Sequence, residues 1–393
     1  MSRELPTFVH LDADAFFVAV ERALDPSLRG KKVAVGGRQR GIISSASYEA
    51  RACGVYTPMP TAQALRVCPD LILVSGGMGR YGEFSRRLFA LCETVTPLVE
   101  RRSIDEGFMD VGPCGWRSAE EIAAKIRALQ QRIREELDLP VSFGLATAKL
   151  VAAIASKQRK PEGFTVVAAG AEESFLAPLP IGVLPGVGKK TEVLLKANGI
   201  VKVADLLAHG DAELAALLGR DWRDWQRMAR GEDDSEISLE REDAKSYSQQ
   251  ETFAEDAADF AIILRVAKGM LDALLPKVRA DGKRARTLTV KVRYPGMGED
   301  VAGRSLAAAT DLEGPFYALL ESLLRQAWRR RAAVRLVAVR LSGIEGEESQ
   351  LELFGENRER EERQRRLAEA VDALNARSGG RVRHGHQLGR GKN

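Results

Sequence analysis

Thr7 to Leu11 is a short apolar run that reads as a buried strand ending at Asp12, and the residues from Asp14 to Arg22 have the spacing of a helix start. Val33-Ala34-Val35, closed by Gly36-Gly37, and Ile42-Ile43-Ser44-Ser45 predict two further strands, followed by a short helix from Tyr48 to Ala52 that stops near Gly54. Helical periodicity returns over 82–95 and 118–137, with a strand pair around 98–111 between them. Val141 to Gly144 predicts a strand, and an Ala-rich helix from about Ala148 to Gln158 follows, with Thr147 as its expected cap. This alternation predicts α/β or α+β architecture for the first two-thirds of the chain.

From about Ala171 to Gly231 the pattern turns helical. Leu184-Pro185-Gly186-Val187-Gly188-Lys189-Lys190, followed by Leu194, Leu195 and Asn198-Gly199-Ile200, has the spacing of a helix-hairpin-helix. Glycines there let backbone approach a phosphate, and N–H groups at the following helix N-terminus can hold it. An ordinary helical hairpin is the alternative, and the flanking apolar spacing with Lys189 and Lys190 favours DNA backbone. Residues 232–243 are acidic and lack apolar periodicity, the pattern of a solvated tether.

Beyond it the order is strand (246–253), helix (260–278), strands (286–294 and 305–310), a helix from Pro315, and a strand (334–341), a βαββαβ module. Leu288, Val290 and Val292 alternate with Thr287, Thr289, Lys291 and Arg293, so one sheet face packs on helices. The other is either a plain solvated face or a DNA-backbone surface, and Lys283, Arg284, Arg286 and Arg329-Arg330-Arg331 favour DNA. Gln350-Leu351-Glu352-Leu353-Phe354 is an apolar peptide in a polar, Gly-flanked setting. A charged helix from about Arg358 to Ala376 follows, with a thin stripe of Leu367, Val371 and Leu374 and then a basic tail.

A length of 393 residues allows two to four domains, and a net charge of +4 makes any nucleic-acid footprint local. The four cysteines form no Cys-x-x-Cys pair and only four histidines exist, which argues against zinc and for reduced thiols. Neither the N-terminus nor any later run has the length and apolarity of a signal or membrane span, so the expectation is a cytoplasmic protein with no membrane partner.

The chemistry lies in Ser103-Ile104-Asp105-Glu106 and Asp12-Ala13-Asp14. Adjacent acids repel, so a chain that gathers them with a third has a cation to hold. Oxygen donors of this kind suit Mg²⁺, which binds through one or two carboxylates and through substrate phosphates. Neighbouring strand side chains point to opposite faces, so Asp105 and Glu106 can share a site only at a strand end, turn or bulge.

Asp12-x-Asp14-x-Phe16-Phe17, Ser47-Tyr48-Glu49-Ala50-Arg51, Ser103-Ile104-Asp105-Glu106, Lys160-Pro161-x-Gly163, the Gly-Val-Gly hairpin and Lys245-Ser246 occur in that order. Over residues 6–355 the set resembles the Y-family translesion DNA polymerases, most closely their bacterial branch. The resemblance implies an α+β right hand: palm (1–18 and 78–166), fingers (19–77), thumb (167–231), tether (232–244), little finger (245–344), and a clamp-binding peptide with tail (345–393). It implies template-directed, low-fidelity DNA synthesis past damaged bases by a monomer that uses primer-template DNA, dNTPs and two Mg²⁺. Asp12, Asp105 and Glu106, with the Ala13 carbonyl, match the metal site, whereas Asp14 matches a structural acid.

Phe16, Phe17, Ser45, Tyr48, Arg51 and Lys160 match the dNTP site, with Phe17 as the gate against a 2′-hydroxyl. The residue pattern above makes Gly186, Gly188, Lys189, Lys190, Arg286, Lys291 and Arg293 the expected DNA contacts, and Gln350, Leu351, Leu353 and Phe354 resemble the anchors of a sliding-clamp-binding motif. The acidic tether and Val18 after the gate depart from the family pattern. A catalytically silent DNA- and clamp-binding relative should have lost acids that this chain retains. A glycosyltransferase, which also uses Asp-x-Asp, should lack the hairpin and the clamp-like peptide.

Overall fold

The computed structural model describes residues 4–37, 40–240, 243–330, 332–346 and 358–378. The chain divides into two compact units, Met1–Arg241 and Glu242–Asn393. Their strands, in chain order, are β1 (Phe8–Ala13), β2 (Val33–Gly36), β3 (Ile42–Ala46), β4 (Met59–Pro60), β5 (Ile72–Val74), β6 (Val99–Arg101), β7 (Glu106–Asp110), β8 (Val141–Ala146), β9 (Phe164–Val166), β10 (Ser246–Ala257), β11 (Lys283–Arg293), β12 (Glu299–Thr310) and β13 (Val334–Gly346).

In the first unit, one sheet has the order β6-β7-β1-β8-β9, with β1 antiparallel to both its neighbours. A central strand is covered on both faces, which is why Thr7 to Leu11 reads as unbroken apolar sequence rather than as alternation. The helix Ala119–Leu137 lays Ile122, Ile126, Leu129 and Ile133 into the core at i, i+4 and i+3 spacing, with Ser118 accepting from the Glu121 N–H at its start. The helix Lys149–Ser156 approaches so closely that a Cβ on Gly144 of β8 would stand 2.0 Å from the Ala152 carbonyl oxygen. A second sheet has the order β4-β3-β2-β5, with its own small core around Ile43, Met59 and Leu71.

Two sequence expectations fail here, and for one reason. Thr147 does not cap the helix Lys149–Ser156; its hydroxyl donates to Glu172. The orphan Leu150 N–H at the helix start is instead met by Asp233 Oδ2 at 2.8 Å. The acidic segment is therefore not freely solvated over 233–238. The Glu236 carbonyl accepts from Lys149 Nζ at 2.9 Å, and the Ser238 N–H donates to Glu100 Oε2 at 2.9 Å. Asp233 answers a helix N-terminus and the backbone of the segment answers a buried Lys149–Glu100 ion pair.

The helix-hairpin-helix is also altered. Only a 3-10 turn, Ile181–Val183, precedes the Gly-Val-Gly segment, and the helix Lys189–Ala197 follows it. Gly186 has φ +86°, the backbone region that a tight turn there requires.

The second unit has the sheet order β10-β13-β11-β12 and two helices, Phe260–Ala280 and Glu313–Ala327, giving the expected βαββαβ order. Leu288, Val290 and Val292 are buried, as the alternation predicts. The C-terminal helix Arg358–Ser378 is tied to this unit by Arg279, which bonds Asp372 Oδ2 at 2.7 Å and Glu313 Oε1 at 2.8 Å, and by Arg365 on Asp311 at 2.8 Å. Leu367 and Leu374 of the predicted apolar stripe are exposed, so ion pairs rather than that stripe mark the docked face. Gln350, Leu351, Leu353 and Phe354 lie outside the described residues.

Candidate active site

The site is built where β1 and β7 end together. Their antiparallel register sets Asp12 opposite Glu106, the first residue of β7, and the Ala13 N–H donates to the Asp105 carbonyl at 2.9 Å. Asp105 sits in the turn before the strand, which is the irregularity that two neighbouring acids at one site require. Ser103 makes that turn: its hydroxyl donates to Asp105 Oδ1 at 2.5 Å and accepts from the N–H groups of Asp105 (3.2 Å) and Glu106 (3.1 Å).

Asp12 is held by Lys160, whose Nζ lies 2.5 Å from Asp12 Oδ1 and 3.4 Å from Asp14 Oδ1. Burial pushes the Glu106 carboxyl above its usual range; Lys157 and Lys160 oppose that rise, while the charges of Asp12 and Asp105 add to it. Beneath these acids lies His10, 2% exposed, with Nδ1 2.8 Å from Ser156 Oγ and its ring edge-on to Phe108. Burial, helped by the two lysines, pushes its pKa down to about 3, so the floor of the site adds no positive charge near neutrality.

As the side chains stand, Lys160 occupies Asp12 and Ser103 occupies Asp105. Among the described residues no three His, Cys, Asp or Glu side chains are gathered closely enough to hold an ion in this arrangement. The donor set nevertheless fits a hard cation: three carboxylates come from adjacent strand ends, repel one another, and already draw an ammonium group onto Asp12. Asp14 is different. It is 1% exposed and accepts from Ser142 Oγ (2.8 Å), the Glu162 N–H (2.8 Å) and Tyr48 OH (3.2 Å), the surroundings of a structural acid.

The helix Tyr48–Ala52 is capped by Ser47 and brings Tyr48 and Arg51 to the same region. Tyr48 reaches Asp14, and the Arg51 guanidinium lies 4.9 Å from the Tyr48 ring centre while donating to the Ala46 carbonyl. Ser45 is buried on β3. Phe17 is half-buried and stacks on Tyr81 at 4.4 Å between ring centres and 25° between planes. Phe16 packs in the core at 3% exposure.

The sequence offered no sign of Tyr81. Its ring backs Phe17, and its hydroxyl donates to buried Glu21 at 2.8 Å. Ser103 carries a local signal, because a serine hydroxyl that accepts from backbone N–H groups two and three residues on makes a turn.

The expected DNA-contacting residues divide into two sets. Lys189 and Lys190 are exposed beside the Gly186 turn. On β11 the basic face is partly engaged: Lys291 and Arg293 both pair with Glu299, at 3.3 and 2.5 Å, and Arg286 donates to the Leu306 carbonyl at 3.1 Å. No helix among the described residues is long and apolar enough to cross a membrane.

The sequence matches the impB/mucB/samB family over residues 11–157 and the C-terminal domain of the same family over 244–353. It is 61% identical over 386 residues to DNA polymerase IV of Opitutus terrae, covering 98% of each chain. It is 38% identical over 343 residues to DNA polymerase IV of Methanoculleus marisnigri, covering 86% of this chain and 94% of the relative. Among solved structures, a Y-family DNA polymerase chimera aligns with a TM-score of 0.78 at 27% identity, over 86% of this chain and 99% of its own. An insertion ternary complex of Dbh DNA polymerase aligns with a TM-score of 0.59 at 26% identity, over 85% and 98%.

Proposed function

The chain belongs to the impB/mucB/samB family and is a Y-family DNA polymerase of the polymerase IV branch, and from that premise we propose that it adds dNTPs to a primer 3′ end at the Asp12, Asp105 and Glu106 site, with low fidelity and past damaged template bases. The observation that carries this reading is the Asp12–Glu106 register pair with Asp105 in the adjoining turn. Three acids at one strand end are costly unless a polyvalent cation is part of the working state.

Asp12, Asp105 and Glu106, with the Ala13 carbonyl, would hold two Mg²⁺, which supply an activated primer hydroxyl and charge neutralisation at the leaving pyrophosphate. Lys160 then exchanges Asp12 for triphosphate oxygens as a point charge, Arg51 offers its guanidinium donors, and Tyr48 offers a hydroxyl. Asp14 holds the Tyr48 hydroxyl and the Glu162 backbone, which fixes the lysine-bearing loop against the acids.

In this reading the sheet around β1 is the palm (1–18 and 78–166) and the sheet of β2 to β5 belongs to the fingers (19–77). The thumb (167–231) presents Gly186, Gly188, Lys189 and Lys190 to primer-template backbone. The little finger (245–344) adds Arg286, Lys291 and Arg293, the last two after release from Glu299. The solved insertion ternary complex of a relative supports the same partners here.

The test is primer extension with Mg²⁺ and all four dNTPs on an undamaged template and on one carrying an abasic site. Distributive extension on the first and insertion opposite the lesion on the second are expected; no extension on the undamaged template overturns the reading. A sliding clamp is the further partner we propose, through Gln350, Leu351, Leu353 and Phe354. Replacing Leu353 and Phe354 by Ala should abolish capture by the clamp and leave extension on naked DNA within about twofold, since a tether raises local concentration without touching chemistry. Undiminished capture by the doubly substituted chain would remove the peptide from consideration.

A further inference from the structure

The helix that carries Tyr48 and Arg51, Tyr48–Ala52, is five residues long. A helix that short has too few internal hydrogen bonds to persist by itself, so its side chains stand where its anchors put them. Tyr48 and Arg51 are neighbours on one face, and Glu49 lies about 200° round the helix from Arg51. On that flank Arg22 Nη2, from the helix Phe16–Leu24 that bears Phe17, reaches Glu49 Oε2 at 2.8 Å. The same nitrogen donates to the Lys31 carbonyl at 2.7 Å.

That carbonyl is shared. The Ser47 hydroxyl donates to it at 3.3 Å while accepting from the Val33 N–H at 3.1 Å and, as the cap of Tyr48–Ala52, from the Ala50 N–H at 3.2 Å. Arg22 and Ser47 thus tie three pieces at one point: the last turn of Phe16–Leu24, the entry to β2 and the first turn of Tyr48–Ala52. An ordinary surface ion pair holds little. Here the Arg22 side chain is 21% exposed, and its Nε is buried with no acceptor among the described residues, so the two bonds of Nη2 set where the guanidinium lies. Burial alone would raise the Glu49 carboxyl; the Arg22 bond, with lesser help from backbone and Ser47, overrides that and holds it below its usual range.

Tyr48 has a single hydroxyl proton, which goes to Asp14 at 3.2 Å. Given to a phosphate oxygen instead, that proton no longer anchors the helix, and the Arg22 and Ser47 bonds then carry more of its placement.

We propose that Arg22 is a positioning residue for the incoming nucleotide: through Glu49 and the Lys31 carbonyl it fixes the short helix so that the Tyr48 hydroxyl and the Arg51 guanidinium stand where the triphosphate binds. It does so from the helix that carries Phe17, so the ring that meets the sugar and the donors that meet the phosphates share one frame. The effect on nucleotide binding rests on the dNTP site proposed above.

The experiment is steady-state insertion by the full chain. Arg22→Ala should raise the dNTP KM about fivefold with kcat within about twofold, and Glu49→Ala about threefold, since the Lys31 bond survives it. Glu49→Gln keeps an acceptor for Arg22 and should stay within about twofold of the parent. Added to a chain already carrying Tyr48→Phe and Arg51→Ala, Arg22→Ala should raise KM by less than about twofold more, because no donors remain for it to place. Thr61→Ala, which removes a 2.8 Å bond to the Gly37 carbonyl beside the same sheet, should leave KM unchanged. A full fivefold rise in the Tyr48→Phe, Arg51→Ala background, or an equal rise in Thr61→Ala, would mean that any loosening of the sheet suffices and overturns the proposal. So does an unchanged KM in both Arg22→Ala and Glu49→Ala when Arg51→Ala alone raises it; an Arg51→Ala chain with the parent's KM tells instead against the dNTP site itself.

Discussion

Asp105→Ala is expected to lower the single-turnover rate of nucleotide insertion by about 10³-fold or more, because in the proposed mechanism it removes a ligand of the reacting metal and with it several kcal/mol of charge stabilisation at about 1.4 kcal/mol per decade. The substitution should leave the fold intact. Asp105 is half-exposed in a turn whose backbone hydrogen bonds run to the Ser103 hydroxyl and not to its own carboxylate. Asp14→Ala is the informative contrast. It strands Ser142, the Glu162 N–H and Tyr48 in a buried site, and each unmet donor costs about 1–3 kcal/mol.

Asp14→Ala should therefore lower the thermal midpoint by several degrees, while Asp105→Ala leaves it nearly unchanged. Rapid-quench insertion and a melting curve on the same preparations separate the two. Insertion by Asp105→Ala within about tenfold of the parent would sink the assignment of the metal site, since a ligand of the reacting ion cannot be that dispensable.

That contrast follows from a distinction partly legible in the sequence. The period-2 rule for strands requires Asp105 and Glu106 to straddle a turn, and Ser103 builds that turn. The buried run before Asp12, the alternation of Leu288, Val290 and Val292, and the βαββαβ order are equally local signals, and the structure carries them through. What local signals cannot convey is which distant group answers an orphan. Thr147 has the composition of a cap, yet Asp233, far along the chain, meets the Leu150 N–H, and that bond also removes the acidic segment from free solution. Lys160 reaches Asp12 across a still longer separation, so the pairing of lysine with acid follows from the packing of its loop against the end of β1. On β11, Lys291 and Arg293 read as free cations because nothing in their own strand announces Glu299 on the next one.

The gate proposed at Phe17 depends on such a distant neighbour too. Phe17 leaves the core half-exposed, with Tyr81 stacked on it and Tyr81 fixed in turn by buried Glu21, to which Arg80 adds a contact at 3.2 Å. A ring that cannot tilt away excludes a 2′-hydroxyl by contact; a free ring would yield. A Cβ on Gly76 would stand 2.4 Å from the Tyr81 hydroxyl oxygen, so backbone closes Tyr81 in from that side. Phe17→Ala should therefore raise ribonucleotide insertion relative to deoxyribonucleotide insertion by ~10²-fold, the scale on which a pocket separates substrates differing by one hydroxyl. Most of the change should appear as ribonucleotide kcat/KM gained, with dNTP insertion falling less, because the wall is lost while the triphosphate contacts proposed for Tyr48, Arg51 and Lys160 stay in place. Competition between CTP and dCTP opposite a template guanine reads that ratio directly. A ratio that does not move in Phe17→Ala would assign sugar selection to another residue, since no barrier formed by the Phe17 ring survives its removal.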